Sequence, residues 1–398
     1  DQAISFADSA LSVLQEHGDD SDVVGCMLTR LSALKRLGRL REARELADRA
    51  LRLVERVDSP RLYATCLLFA GDLANHEQDF ENAVGLCRRA RELFRSQDDP
   101  GGAGSCSITL SNIHSRSGDS MSALAEAREA IDDLGGTGQP AREALSYICL
   151  ADALLSCGEP EDALEAARRA ETLLNDIGDR WGLQMCLPTM AQAMLDSGDL
   201  EGYREPVRKT LDLCREIGAN YNTVEVCLQV AWVLSGAGEY QAAMEVCTEA
   251  TGMAEEVDDP MVRASVSSLR AHLCLRQGDA EAARDSCEEA LRLSREHRNA
   301  SETVKTLLAC FHLALELELW REAVAAGEFL LRRHAGLLDD AGQIRREVDR
   351  AAEALPEGAD GIVAAGRSLD IRRVAELMLD GLRSGGDGGR PGVRSSPR

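Results

Sequence analysis

The strongest constraint on this chain is a period. Gly38, Gly118, Gly158, Gly198, Gly238 and Gly278 are separated by multiples of forty residues, and Gln78 and Glu318 fill the two remaining slots. Five residues later come Ala43, Ala83, Ala123, Ala163, Ala243, Ala283 and Ala323, with Tyr203 the exception. Seven further on come Ala50, Ala90, Ala130, Ala170, Ala250 and Ala290, and Pro60, Pro100, Pro140 and Pro260 keep the same phase. A length of 398 residues would ordinarily suggest two or three globular domains. A recurrence of this kind instead predicts one short unit used again and again.

Each unit reads as a pair of helices. Residues 22–36 are apolar at helical spacing, and Gly38 follows as a residue that tolerates the left-handed turn ending a helix. Residues 40–56 form a second amphipathic stretch with alanine on its inner face. The joints read "VDSP", "QDDP", "TGQP" and "VDDP". Their prolines suit a first helical turn, and the acids before them suit N-caps. Aromatics are only 4% of the chain, so small residues must carry the packing. Alanine at two fixed places lets neighbouring helices approach closely, and pairs that cannot bury a face alone stack into a solenoid.

This grammar resembles the tetratricopeptide repeat family, in a long variant with forty residues per unit rather than the usual thirty-four. The likeness rests on Gly158, Glu161, Ala163, Ala167 and Ala170, and on the small residues Gly71, Ser111, Ala151, Ala191, Ala231 and Ala271 of the preceding helices. Many of the family's aromatic positions are aliphatic or cysteine here. The resemblance implies an all-α, right-handed α-solenoid of antiparallel helix pairs, in which the first helix of each unit lines a concave groove that holds partners. It covers residues 1–336, as a half repeat over 1–16 and repeats starting near 21, 61, 101, 141, 181, 221, 261 and 301. The register lapses after Arg333. Two irregular helical stretches, 344–355 and 369–382, read as a C-terminal cap over 337–382, and 383–398 has the composition of a disordered tail. Because "DQAISFADSALSVLQE" aligns with a second helix, we read the chain as continuing upstream in a longer parent.

Side chains that could pass for chemistry are absorbed by the repeat. Cys26, Cys66, Cys106 and Cys186 share one phase and Cys87, Cys247 and Cys287 another, where alanine stands in other units. They substitute for small buried residues. Equivalent cysteines lie a packed helix apart, about 8–10 Å, too far for the roughly 7 Å limit of a disulfide. A bridge between phases, such as Cys87 to Cys106, is left open. His272 and His312 occupy one slot in successive repeats with Glu316 a turn beyond, but no HExxH is present and the spacing is unfavourable for zinc. His114 falls in a leucine phase. Paired acids recur too often to be catalytic. "GGAG" at 101–104 reads as a flexible joint and not as a phosphate cradle, because no strand precedes it. No nucleophile elbow, metal motif or cofactor motif is present, and the expectation is a non-enzyme without cofactor or metal.

What remains is the groove. One outward slot reads Ser32, Asp72, Asn112, Asp152, Gln192, Trp232, His272 and His312; the next turn reads Arg36, His76, Arg116, Ser156, Asp196, Gly236, Arg276 and Glu316. Lys35, Arg36, His76 and Arg116 make its first third basic or neutral in a chain of net charge −23. Trp232, in a polar file, is the best single anchor candidate, with a core role as the alternative. The overall charge opposes wrapping nucleic acid or binding anionic membranes, and no apolar run would span a bilayer. Scattered cysteines in an acidic, alanine-rich chain suit a reducing cytoplasm. Only Lys35, Lys209 and Lys305 are lysine among 45 basic residues, a bias that fits a GC-rich bacterial genome. The expected function is a protein–protein interaction scaffold, the regulatory region of a larger bacterial signalling or transcription-regulatory protein. Its partner would be a protein or peptide, or the upstream part of its own parent chain. The alternative is a sensor whose small-molecule or peptide ligand switches an upstream ATPase or DNA-binding module.

Overall fold

The computed structural model describes residues 2–36, 39–77, 79–257, 259–296, 300–333, 341–355 and 359–387, and among these all regular structure is α-helical. The chain divides into two compact units, one of Asp1–Glu239 with Gly252–Asp259, the other of Tyr240–Thr251 with Pro260–Arg398.

The first unit runs α1 (Gln2–His17), α2 (Asp20–Arg36), α3 (Leu40–Val54), α4 (Pro60–His76), α5 (Phe80–Arg95), α6 (Pro100–Ser117), α7 (Ser120–Leu134), α8 (Pro140–Ser156), α9 (Pro160–Ile177), α10 (Arg180–Asp196), α11 (Arg204–Ile217) and α12 (Tyr221–Gly236). Consecutive helices pack as antiparallel neighbours, and even-numbered helices also touch one another from α2 to α12. The turns explain the period. Gly118, Gly158, Gly178 and Gly198 take left-handed backbone. At Gly118 the next amide, Asp119 N, donates back to His114 O over 2.9 Å, as a Schellman end requires. The residue after the left-handed one, which is Asp98 at the first of these joints and glycine at the other two, then starts the next helix: Asp99, Asp119 and Asp179 accept from Gly102, Ser122 and Gly182 amides at 2.9, 3.1 and 3.0 Å. One dipeptide closes a helix and opens its partner, which is why Gly–Asp recurs.

The alanine slots are the core. Ala43, Ala83, Ala123 and Ala163 are wholly buried, as are Ala90, Ala130 and Ala170. Tyr203, in the alanine slot of its unit, is also buried, with its hydroxyl donating to Glu239 Oε1 over 2.5 Å. In that unit the second helix starts only at Arg204, after a turn. The "GGAG" segment is not a flexible joint. Gly101, Gly102 and Gly104 form the buried first turns of α6, and a Cβ on Gly102 or Gly104 would stand 2.3 Å from Phe94 or 2.5 Å from Leu134. Glycine here admits the neighbouring second helices.

The second unit takes part of α13 (Tyr240–Val257) and continues as α14 (Pro260–Arg276), α15 (Ala280–Glu296), α16 (Ala300–Glu316), α17 (Trp320–Arg333), α18 (Ala341–Glu353), α19 (Asp360–Ser368) and α20 (Ile371–Asp387). Glu318 replaces the turn glycine and still adopts φ 56°, with Leu319 N donating to Ala314 O over 2.8 Å. Beyond Arg333 there are three helices where the sequence suggests two stretches. The starts of α18 and α19 keep the repeat phase, although Val363 stands where alanine marked the earlier units. Helix α20, without a counterpart in earlier units, packs on α15, α16 and α17 through Val374, Met378 and Leu382. It runs to Asp387, so residues 383–387 are helical and not tail; 388–398 lie outside the described residues. Buried Glu328 of α17 fastens this end, accepting from Arg345 of α18 at 2.5 Å and Arg367 of α19 at 2.9 Å.

Candidate functional site

The polar file of the first unit lies on the even-numbered helices, at their inner, mutually contacting edges. Asp72 on α4 is ion-paired with Lys35 on α2, whose ammonium also stands 5.6 Å from the Phe69 ring centroid. Burial pulls Lys35 down to about 8. One turn on, His76 is driven down to about 3 by burial, with Arg116 and Lys35 adding repulsion, so it is neutral at physiological pH. Its ring meets Tyr221 of α12 edge-on, with centroids 6.3 Å apart and planes at 82°.

On α6, Asn112 is exposed and accepts from the Cys149 thiol of α8 over 3.4 Å. Arg116 is exposed, and among the described residues it has no ion-pair partner. On α8, Asp152 is half-buried and accepts from Thr189 Oγ1 of α10 over 2.8 Å. Burial pushes the Asp152 carboxyl up to about 6, and the single threonine bond offsets this only in part. Gln192 on α10 donates to Asp196 over 2.7 Å. Trp232 on α12 is 48% exposed, a fraction that rules out a core role. Arg36 ends α2, and its side chain lies outside the described residues.

The structure therefore joins Lys35 with Asp72, and His76 with Arg116. It also supplies partners that the sequence reading missed: Cys149, Thr189 and Tyr221. Two of these follow a rule. The pairs Asn112–Cys149 and Asp152–Thr189 both span 37 residues, as does Lys35–Asp72. In the first two pairs a residue three short of the next slot touches the preceding slot residue, and in the third Lys35, three past its own slot, reaches the following one, relations that a search restricted to equivalent positions cannot find.

The second unit carries its own segment of the file. His272 is pulled down to about 4 by burial, with His312 and Arg276 adding to the effect. Burial also lowers His312, against the opposing charge of Glu347, whose carboxylate is 3.8 Å from its Nε2. Arg276 Nε donates to Tyr240 Oη over 3.1 Å, and the guanidinium lies 5.1 Å from that ring. Among the described residues no three His, Cys, Asp or Glu side chains are grouped to hold a metal. All thirteen cysteines are free thiols, so the bridge left open between Cys87 and Cys106 is not formed. His114 is packed, with Nδ1 3.7 Å from Asp119.

Two surface clefts lie away from the residues of the polar file. One of about 360 Å³ is lined by Val54, Tyr63 and Leu93 with Glu55 and Asp58 at its rim. The other, about 270 Å³, is lined by Leu183, Leu187 and Leu213 with Arg180 and Glu216. Both are smaller than, or at the lower end of, the range that encloses drug-sized ligands. Among the described residues no helix is long and apolar enough to cross a membrane.

Fold and site together define an α-helical repeat protein of the tetratricopeptide class, and residues 264–297 match the tetratricopeptide repeat profile directly. No curated protein matches the chain by sequence. Solved structures share its architecture. A Rap protein in complex with competence and sporulation factor superposes with a TM-score of 0.58 over 89% of this chain and 95% of its own, at 14% identity. The apo form of the quorum sensor NprR from B. thuringiensis gives 0.53 over 88% and 97%, also at 14% identity. The Rap conjugation gene regulator of plasmid pLS20, in complex with the Phr* peptide, gives 0.50 over 89% and 97% at 14% identity. At such identity the likeness is one of fold.

Proposed function

We propose that this chain is a non-catalytic binding protein that holds an extended peptide segment in the groove of its first unit. We read it as the regulatory region of a bacterial signalling or transcription-regulatory protein. One observation carries the reading. On adjoining helices α6 and α8 stand an exposed amide (Asn112), an unpaired guanidinium (Arg116) and a half-buried carboxyl with one hydroxyl partner (Asp152). Asp152 keeps acceptor capacity beside its one hydroxyl partner, and Asn112 and Arg116 are open to water, so a ligand can replace that water with its own donors and acceptors. An extended backbone offers alternating N–H and C=O groups that can do so. Two of the fold neighbours were solved with a peptide or signalling factor bound, which supports a peptide over a folded domain as ligand.

The test is selection of short linear peptides from a random library on the immobilised chain, followed by calorimetry of the selected sequence. Arg116→Glu and Asp152→Asn should each weaken binding by about 10- to 100-fold, the effect of losing one charge-assisted hydrogen bond. No enrichment, or a selected peptide indifferent to both changes, would overturn the proposal.

A further inference from the structure

The contact between His76 and Tyr221 joins parts of the chain that the repeat alone would keep apart. His76 ends α4 and Tyr221 begins α12. Between them α4 touches α6, α6 touches α8, α8 touches α10 and α10 touches α12. The ring pair, 6.3 Å between centroids, returns from the last of these helices to the first. That one contact, the end of α4 against the start of α12, closes the circuit, and Asn112, Arg116 and Asp152 belong to helices within it.

The bore of such a circuit is narrow. Taken as a regular ring of five helices spaced about 10 Å apart, the circuit would be about 17 Å across between opposite axes, and removing a helix diameter of about 10–12 Å leaves about 5–7 Å. That admits one extended backbone and excludes a helix, a hairpin or a loop that remains anchored to a folded body. We infer that the His76–Tyr221 contact is a latch that closes the first unit around its groove, so that the ligand must be a chain with a free end, threaded through the circuit, unless the latch is opened. This rests on the peptide reading of the groove but makes a separate statement, about access and not about affinity.

Access can be measured without knowing the ligand. A thiol placed in the circuit as Asn112→Cys, combined with Cys149→Ser to remove the adjoining native thiol, is labelled in the full chain with N-ethylmaleimide or with maleimide coupled to ubiquitin. The parent carrying only Cys149→Ser corrects for native cysteines. The small reagent should label the introduced thiol readily and the bulky one far more slowly. Opening the latch by His76→Ala or Tyr221→Ala should accelerate only the bulky reagent, by about 2- to 10-fold, the population shift expected on losing one edge-to-face pair. Tyr221→Phe keeps the ring and should stay closed, so it separates loss of the latch from loss of the fold, with helical circular dichroism confirming each variant. Equal labelling by both reagents in the latched chain would overturn the inference. So would failure of the small reagent, or ring deletions that leave the bulky rate unchanged. Failure of peptide selection would leave all three results standing, and would count against the proposed ligand alone.

Discussion

Replacing Glu328 by Gln should loosen the C-terminal end of the second unit without disturbing its repeats. The side chain is 3% exposed and is shared by Arg345 at 40% and Arg367 at 51%. Burial alone would raise this carboxyl, but its bonds to Arg367 and Arg345 outweigh that penalty and hold it below the usual range. Breaking a fully buried ion pair costs about 3–5 kcal/mol. Here the two guanidiniums left behind are half in water and the glutamine keeps the volume, so about 2 kcal/mol is the better figure. That corresponds to a rise of about 30-fold in opening of α18 and α19, read as loss of amide hydrogen-exchange protection confined to those helices. Glu288→Gln is the control. It removes a partner of Arg383 on α20 at 3.4 Å, with Arg383 61% exposed, and should cost less than about 1 kcal/mol. The acid dependence follows from the sign of the shift. A carboxyl lowered in the folded state adds stability above its unfolded value, near 4.3, and loses that contribution as pH falls below that value and through the lower folded one. The difference between parent and Glu328→Gln should therefore shrink as pH falls from about 5 towards 3. Equal effects of the two substitutions, or protection lost across α14–α16 as well, would show that Glu328 is not the fastening.

Two further outcomes can be checked by thermal melts. Asp152 is raised to about 6 by burial, so its ionisation destabilises the fold as pH rises through that value. Asp152→Asn should gain about 1–2 kcal/mol at pH 7.5 and nothing near pH 4, and a pH-independent difference would contradict the burial account. Glu318 occupies left-handed backbone at φ 56°. Glu318→Gly should stabilise the second unit by about 0.5–1 kcal/mol, and a fall in melting temperature would mean that its side chain contributes more than its backbone costs.

The fold was legible because its rule is local and iterated. Gly118 with Asp119 and Gly178 with Asp179 close one helix and cap the next by bonds within a few residues, so the period in the sequence is the period in space. Where a different residue satisfies the same geometry, spacing fails as a guide. Glu318 makes a glycine's turn, and Val363 stands in an alanine slot beside a helix that still begins on phase. "GGAG" misled for the opposite reason. Glycine signals freedom in sequence, yet Gly102 and Gly104 are fixed by the close approach of Phe94 and Leu134, residues on other helices. The polar file was legible as positions but not as a set of contacts. Asp152 and Asn112 were visible as polar breaks, whereas Thr189 and Cys149 became their partners only through the offset between stacked repeats. Tyr221 lay beyond any such rule, because its contact depends on how far the stack has turned after four units.

The thiols have a consequence of their own. Burial pushes Cys66, Cys106 and Cys186 up to about 12 and Cys247 to about 11. At neutral pH almost no thiolate is present to react, and reagent cannot reach the sulfur. Each such repeat therefore carries its own silent reporter. It stays unmodified while its helix pair is closed and becomes reactive when that pair opens. Mass mapping of timed alkylation would then show the order in which the stack comes apart, repeat by repeat, with no label introduced.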